Sequence, residues 1–151
     1  MIHMLLALSL ALVSLPTSLP VITLERTTCF GSCPAYTVSI YGDGLVLFEG
    51  KEYVKTKDTA DGRITKDELQ QLVREFEKLD YMKLKDNYGN DDAGCPQSST
   101  DYPSAITSLN LNGKEKTVHH YLGCRGLPIL DQLTQLEDKI DEVVKTKRWI
   151  E

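Results

Sequence analysis

The chain has 151 residues, 41% of them hydrophobic and 26% charged, which is one domain's worth of ordinary soluble composition. That mix excludes a collagen, a disordered tail and a polytopic membrane protein. Asp plus Glu is 22 against 17 for Lys plus Arg, a net charge of -5. Such a surface gains neither counterion release on nucleic acid nor attraction to an anionic bilayer, so no nucleic-acid partner is expected.

Residues 1–20 contain no Asp, Glu, Lys or Arg. Met4 to Val13 is an apolar run broken only by Ser9. It is too short for a bilayer span of roughly 20 residues but has the length of a secretory h-region. Pro16 and Pro20 stop any helix there, and Ser14 and Ser18 are the best small residues for cleavage. The expectation is a signal peptide over 1–20 and a single α+β domain over 21–151. The competing reading is an N-terminal helix buried in the fold. No cysteine precedes Cys29, so there is no acylation point for a lipoprotein anchor. Export implies a periplasmic or secreted protein with no stable membrane insertion once the signal is removed.

Val21 to Arg26 alternates apolar and polar residues and reads as a strand. Ala35 to Tyr41 and Leu45 to Glu49 flank Asp43-Gly44, a hairpin signal because a type I′ turn needs positive φ at both central residues. That turn sets Ile40 opposite Leu47 and Tyr41 opposite Val46. Tyr53-Val54 is a candidate extension of the third strand. Thr65-Lys-Asp-Glu68 is a capping box, with Ile64 and Leu69 placed to staple. Leu69, Leu72, Val73, Phe76 and Leu79 follow as one helical stripe. A polar loop, Asp86 to Thr100, leads to a second hairpin about Asn112-Gly113. A two-residue turn there would set Leu109 against Lys116, a poor pairing, so a three-residue loop is equally open. Pro128 fits the first position of a second helix, whose stripe is Ile129, Leu130, Leu133, Leu136, Ile140, Val143 and Val144. Lys145, Lys147 and Arg148 are expected in its last turns, where the dipole favours cations, with Trp149 and Ile150 folding back on the sheet. The predicted order is βββαββα: an α+β fold with about five mostly antiparallel strands and two helices on one face.

The cysteines are Cys29, Cys33, Cys95 and Cys124, and four allow three connectivities. The preferred pairs are Cys29–Cys33 and Cys95–Cys124. Reflection about Asn112-Gly113 sets Cys124 opposite about Asp101, and the Cys95–Thr100 segment need only fold back over that end. Closing that loop stabilises by roughly 3–4 kcal/mol in the chain-entropy model. The smaller Cys29–Cys33 loop gains less and serves to lock the turn at Gly31.

The run Cys29-Phe30-Gly31-Ser32-Cys33-Pro34-Ala35-Tyr36, with Asp43-Gly44 beyond it, resembles the signature of a small bacterial exported family catalogued as domain of unknown function 6438. Asp101-Tyr102-Pro103, Asn112-Gly113, Lys116 to Tyr121 and the ending Arg148-Trp149 support the likeness, which spans about Val21 to Ile150. The resemblance implies export. It also implies that Cys29 and Cys33 pair with each other, because in that family this pair can occur without the other two. The family has no assigned activity, so no catalytic residue is carried over.

Zinc is one alternative, with Cys29, Cys33, Cys95, Cys124, His119 and His120 as candidate ligands. The C-x3-C spacing is unlike a zinc knuckle, and adjacent strand histidines point to opposite faces. Thiol–disulfide chemistry at Cys29 and Cys33 is a second alternative, although Cys33-Pro34 leads into a strand rather than a helix N-terminus. Neither a G-x-S-x-G elbow nor H-E-x-x-H occurs. Asp86, Asp91 and Asp92 do not fit an EF-hand register, and no phosphate-cradling glycine loop is present. The expected protein is therefore non-catalytic and without cofactor or metal. It is a disulfide-stabilised binding module for a protein or glycan of the cell envelope, with Tyr41, Phe48 and Tyr53 as the candidate contact face.

Overall fold

The computed structural model describes residues 18–89 and 94–151. The expected signal peptide lies almost wholly outside the described residues, and so do Asp91 and Asp92. The elements in chain order are β1 (Ile22–Arg26), β2 (Ala35–Ile40), β3 (Leu45–Glu52), β4 (Asp58–Arg63), α1 (Lys66–Lys78), β5 (Asn87–Tyr88), β6 (Gln97–Ser98), β7 (Ser104–Leu111), β8 (Lys114–Tyr121), β9 (Cys124–Arg125), α2 (Pro128–Val144) and α3 (Lys147–Ile150). A 3-10 turn at Tyr81–Lys83 follows α1.

Among the described residues, seven strands form one sheet in the order β4-β3-β2-β1-β7-β8-β5, and β6 pairs with β9 separately. All neighbours are antiparallel except β5, which runs parallel to β8. The α+β class and the antiparallel sheet stand as expected, but the sheet has seven strands rather than about five. The additions are β4 and β5. The sequence of β4, Asp-Thr-Ala-Asp-Gly-Arg, carries no apolar alternation. Its strand character comes from the free edge of β3, with register from Leu45↔Arg63 to Gly50↔Asp58. A charged, glycine-bearing edge of this kind discourages further pairing.

The first hairpin differs in register from the two-residue expectation. Gly42, Asp43 and Gly44 together make the connection: the Tyr41 N–H donates to Leu45 O (2.9 Å) and the Gly44 N–H to Tyr41 O (2.9 Å). Gly44 has φ +84°, the left-handed residue that a three-residue loop with a G1 bulge requires. Ile40 therefore faces Val46, and Ser39 faces Leu47. The second hairpin takes the two-residue turn, with Asn112 at φ 53° and Gly113 at φ 73°. Leu109 does lie opposite Lys116. The mismatch is relieved because the Lys116 ammonium reaches the Asp86 carboxylate, leaving its stem as apolar cover.

One face of the sheet is covered by helices. Ile22, Leu24, Val38, Ile40, Val46 and Phe48 meet Leu72 and Phe76 of α1 and Leu133 and Ile140 of α2 in a single core, each at most 1% exposed. The capping box holds α1's start: the Thr65 N–H donates to Glu68 Oε2 (2.7 Å) and the Glu68 N–H to Thr65 Oγ1 (3.1 Å). These bonds hold the Glu68 carboxyl below its ordinary range. Pro128 opens α2 as expected. The helix stops earlier than its cationic tail suggested, because Lys145 turns left-handed (φ 62°) and the Thr146 hydroxyl donates to Asp141 Oδ1 at 2.9 Å. Lys147 and Arg148 fall in the separate short helix α3. Trp149 then stacks on Phe48 with ring centroids 4.9 Å apart, and Phe48 stacks on Tyr36 at 5.4 Å.

Candidate functional site

All four cysteines are cross-linked, Cys29 to Cys33 and Cys95 to Cys124, at sequence separations of 4 and 29. Among the described residues no thiol is free and no group of three metal-ligating side chains forms. The cysteines proposed as zinc ligands are thus spent on one another. His119 and His120 face opposite sides of β8: His119 meets the Asn87 side chain (3.2 Å) and His120 is buried against Glu137.

Two arrangements stand out. The first lies beneath α2, where Asp141 follows Glu137 by four residues and Asp138 by three and so neighbours both on the helix surface. Arg26 at the end of β1 donates from Nε to Asp141 Oδ2 (2.8 Å) and from its second terminal nitrogen to Asp138 Oδ1 (3.1 Å). The Tyr36 hydroxyl donates to Asp141 Oδ1 (2.7 Å) and Thr146 donates to the same oxygen. Burial works most strongly against the Arg26 charge, but Asp141, Tyr36 and Glu137 together outweigh it and hold the guanidinium above its ordinary range. Burial, then Asp141, pushes the Tyr36 phenol well above its ordinary range. One turn back along α2, His120 Nδ1 lies 2.8 Å from Glu137 Oε1, and the two residues are 2% and 0% exposed. Glu137 Oε2 has no hydrogen-bond partner among the described residues.

Burial raises the Glu137 carboxyl above its ordinary value of 4.5, although the His120 hydrogen bond and charge pull the other way. The folded protein therefore holds this proton to higher pH than the unfolded chain does. The contribution of that proton to stability is complete below about pH 4.5 and falls away as pH rises through the folded value. We expect Glu137→Gln, which keeps a hydrogen-bonding group for His120, to flatten this part of the profile. Urea unfolding from pH 4 to 8 checks it: the stability gap should move in favour of the Gln variant as pH rises.

The second arrangement is the end of the sheet where β1 finishes and β2 and β7 begin. Both disulfides lie there. So do three of the exposed large apolar side chains among the described residues: Phe30 (89% exposed), Tyr53 (54%) and Tyr102 (42%). Phe30 sits inside the loop that Cys29–Cys33 closes, and its N–H donates to Asp101 O at 3.2 Å. Gly31 next to it has φ +151°, which a side-chain-bearing residue rarely adopts. Tyr102 is held by Arg125, whose guanidinium lies 5.4 Å from the ring centroid and donates to the hydroxyl at 3.0 Å.

The contact face expected from sequence does not form as a unit. Phe48 is 1% exposed and belongs to the core, because the bulged first turn rotates β3 by one position relative to the two-residue expectation. Tyr41 sits half-buried on the opposite face of the sheet, and Tyr53 follows β3 at the disulfide end. Sequence reasoning passed over Phe30 and Glu137, although both had signals. Phe30 is the one large apolar residue between two cysteines that bracket a Gly-Ser turn. Glu137 continues the Leu130, Leu133, Ile140, Val144 stripe at helical spacing, so a carboxylate falls on the buried face.

Fold and site together define a disulfide-linked α+β domain, a mostly antiparallel sheet backed by helices on one face, with Arg26, Asp141 and the His120–Glu137 pair tied into it by hydrogen bonds. The chain belongs to the family described as domain of unknown function DUF6438, which matches residues 20–144. No curated protein matches the chain.

Proposed function

We propose that the protein acts outside the reducing cytosol as a non-catalytic binding module, with the sheet end around Phe30, Tyr53 and Tyr102 as its contact surface. The observation that carries this reading is Phe30. A phenyl ring 89% exposed on a loop closed by a disulfide is an apolar group held out in water at fixed geometry. Such a group gains free energy when a partner's pocket covers it, and rigid presentation lowers the ordering cost of docking. Phe has no polar tip to serve sugar hydroxyls, which favours a protein partner over a glycan.

Two disulfides in one small domain support an oxidising compartment, and the apolar segment before Pro16 supports a removable leader. No helix among the described residues is long and apolar enough to cross a membrane. The thiol-redox alternative gets less support. Cys29–Cys33 leads into a strand, and the nearby Arg26 is already committed to Asp138 and Asp141.

The test compares capture of envelope proteins by the wild type and by single variants. Loss of a central aromatic anchor costs about 2 kcal/mol, roughly 30-fold in affinity. Phe30→Ala should therefore lose its principal partner, whereas Tyr41→Ala should keep it. A Phe30→Ala, Tyr53→Ala, Tyr102→Ala variant that captures every partner of the wild type would remove the proposed surface.

A further inference from the structure

A cavity of about 470 Å³ opens between the end of β8, the β9 turn and the start of α2. Its lining includes His120, Arg125, Leu127, Pro128, Asp131 and Thr134. That size accommodates a small organic molecule or a few peptide atoms. Three features give it positive polarity. Arg125 has no ion-pair partner among the described residues, and Tyr102 fixes its guanidinium at the rim. The 17-residue helix α2 points its first turn here, and its N-cap Leu127 supplies no side-chain acceptor.

The third feature is His120, which is 2% exposed and yet lines the cavity. Its Nδ1 is engaged by Glu137, so Nε2, which meets no protein partner among the described residues, is the nitrogen left for an occupant. Burial favours the protonated Glu137 carboxyl, and when its O–H donates to Nδ1 the ring's own proton sits on Nε2, oriented in advance to donate to an occupant. Against these stands the Asp131 carboxylate in the first turn of α2. One opposing charge limits the site to a monoanion, and the Leu122, Leu127 and Leu130 side chains favour one attached to a short hydrocarbon.

We infer that this cavity is a binding site for a carboxylate, with Arg125 and His120 Nε2 as the recognising groups. The occupant is either a free small organic acid or the C-terminal carboxylate of a peptide; the chemistry at the site is the same. Phe30 and Tyr53 do not line the cavity, so Phe30→Ala leaves it intact; Tyr102 of the contact surface touches it only by holding Arg125 at the rim.

The experiment follows backbone amide resonances of the full oxidised chain during titration with acetate, N-acetylalanine and the uncharged N-acetylalaninamide. Both acids, or N-acetylalanine alone, should shift Arg125–Leu130 in a saturable way, and the amide should not. Binding of both acids marks a general carboxylate site; binding of N-acetylalanine alone marks a peptide terminus. Arg125→Ala, an exposed position that tolerates truncation, should weaken binding about tenfold, the loss of one charge-assisted hydrogen bond. Asp131→Asn should tighten it about threefold by removing the opposing charge. The inference is overturned if neither acid shifts these resonances, if the amide binds as well as the acid, or if Arg125→Ala binds unchanged.

Discussion

Asp141→Ala should destabilise the fold by about 3 kcal/mol, the largest loss expected from any single polar side chain here. Asp141 accepts from three donors, Arg26 Nε, the Tyr36 hydroxyl and the Thr146 hydroxyl. Truncation leaves all three without their acceptor. The more serious consequence concerns Arg26, whose side chain is 18% exposed. A guanidinium that far from water keeps its charge only with a partner, and Asp138, at 68% exposure, is a weak substitute. The figure sits at the low end of the range for breaking a buried pair because Asp141 itself is 17% exposed. Asp141→Asn should cost less, since the amide oxygen still accepts from Tyr36 or Thr146. Urea unfolding separates these cases: a midpoint shift at unchanged slope reports stability lost, and a changed slope would mean that α2 has left the folded state. A loss below about 1 kcal/mol for the Ala variant would mean that the network does not dock α2.

Removing Cys95 and Cys124 together should cost about 3–4 kcal/mol, and removing Cys29 and Cys33 about 2 kcal/mol, by the loop-closure entropy of separations of 29 and 4. The ranking matters more than either figure. Cys95–Cys124 ties the ribbon of β6 and β9 to the core, where Cys124 is 3% exposed. Without it, the segment from Pro96 to Thr100 is held by its pairing with β9 and by the bonds of Ser99 to Gly123 and to the Tyr121 hydroxyl. Cys29–Cys33 fixes a short surface loop, so its loss should leave unfolding cooperative and lower the stability modestly. Double Cys→Ala variants measured in urea test this, and equal losses for the two pairs would contradict the account.

The places of the two hairpins, helices α1 and α2 and the Cys29–Cys33 pair were legible because their signals are local; Cys95–Cys124, at a separation of 29, followed from reflecting the second hairpin about its turn. A capping box, a proline at N1, Asn-Gly and a 3,4-spaced stripe each act within a few residues. What could not be read depended on partners distant in sequence. β4 is a strand because β3 offers it an edge, and β5 is two residues long because β8 offers another. The fate of Phe48 turned on a single extra residue in the Gly42–Gly44 turn. Strand side chains alternate faces, so one position of slip moved it from the proposed surface into the core. The pairing of Arg26 with Asp141 joins residues 115 apart, which no window of sequence brings together.

The aromatic rim at the disulfide end and the cavity at the start of α2 share one requirement, a sheet end whose loops do not move. The sulfurs meet it only while they remain cross-linked. Thiol accounting on protein recovered from its native compartment tests this most directly: non-reducing peptide mapping beside labelling with a thiol dye. The account predicts a Cys29–Cys33 bridge, a Cys95–Cys124 bridge and no labelled cysteine. Labelling at all four positions in folded material would contradict it and make the sulfurs reagents or ligands rather than framework.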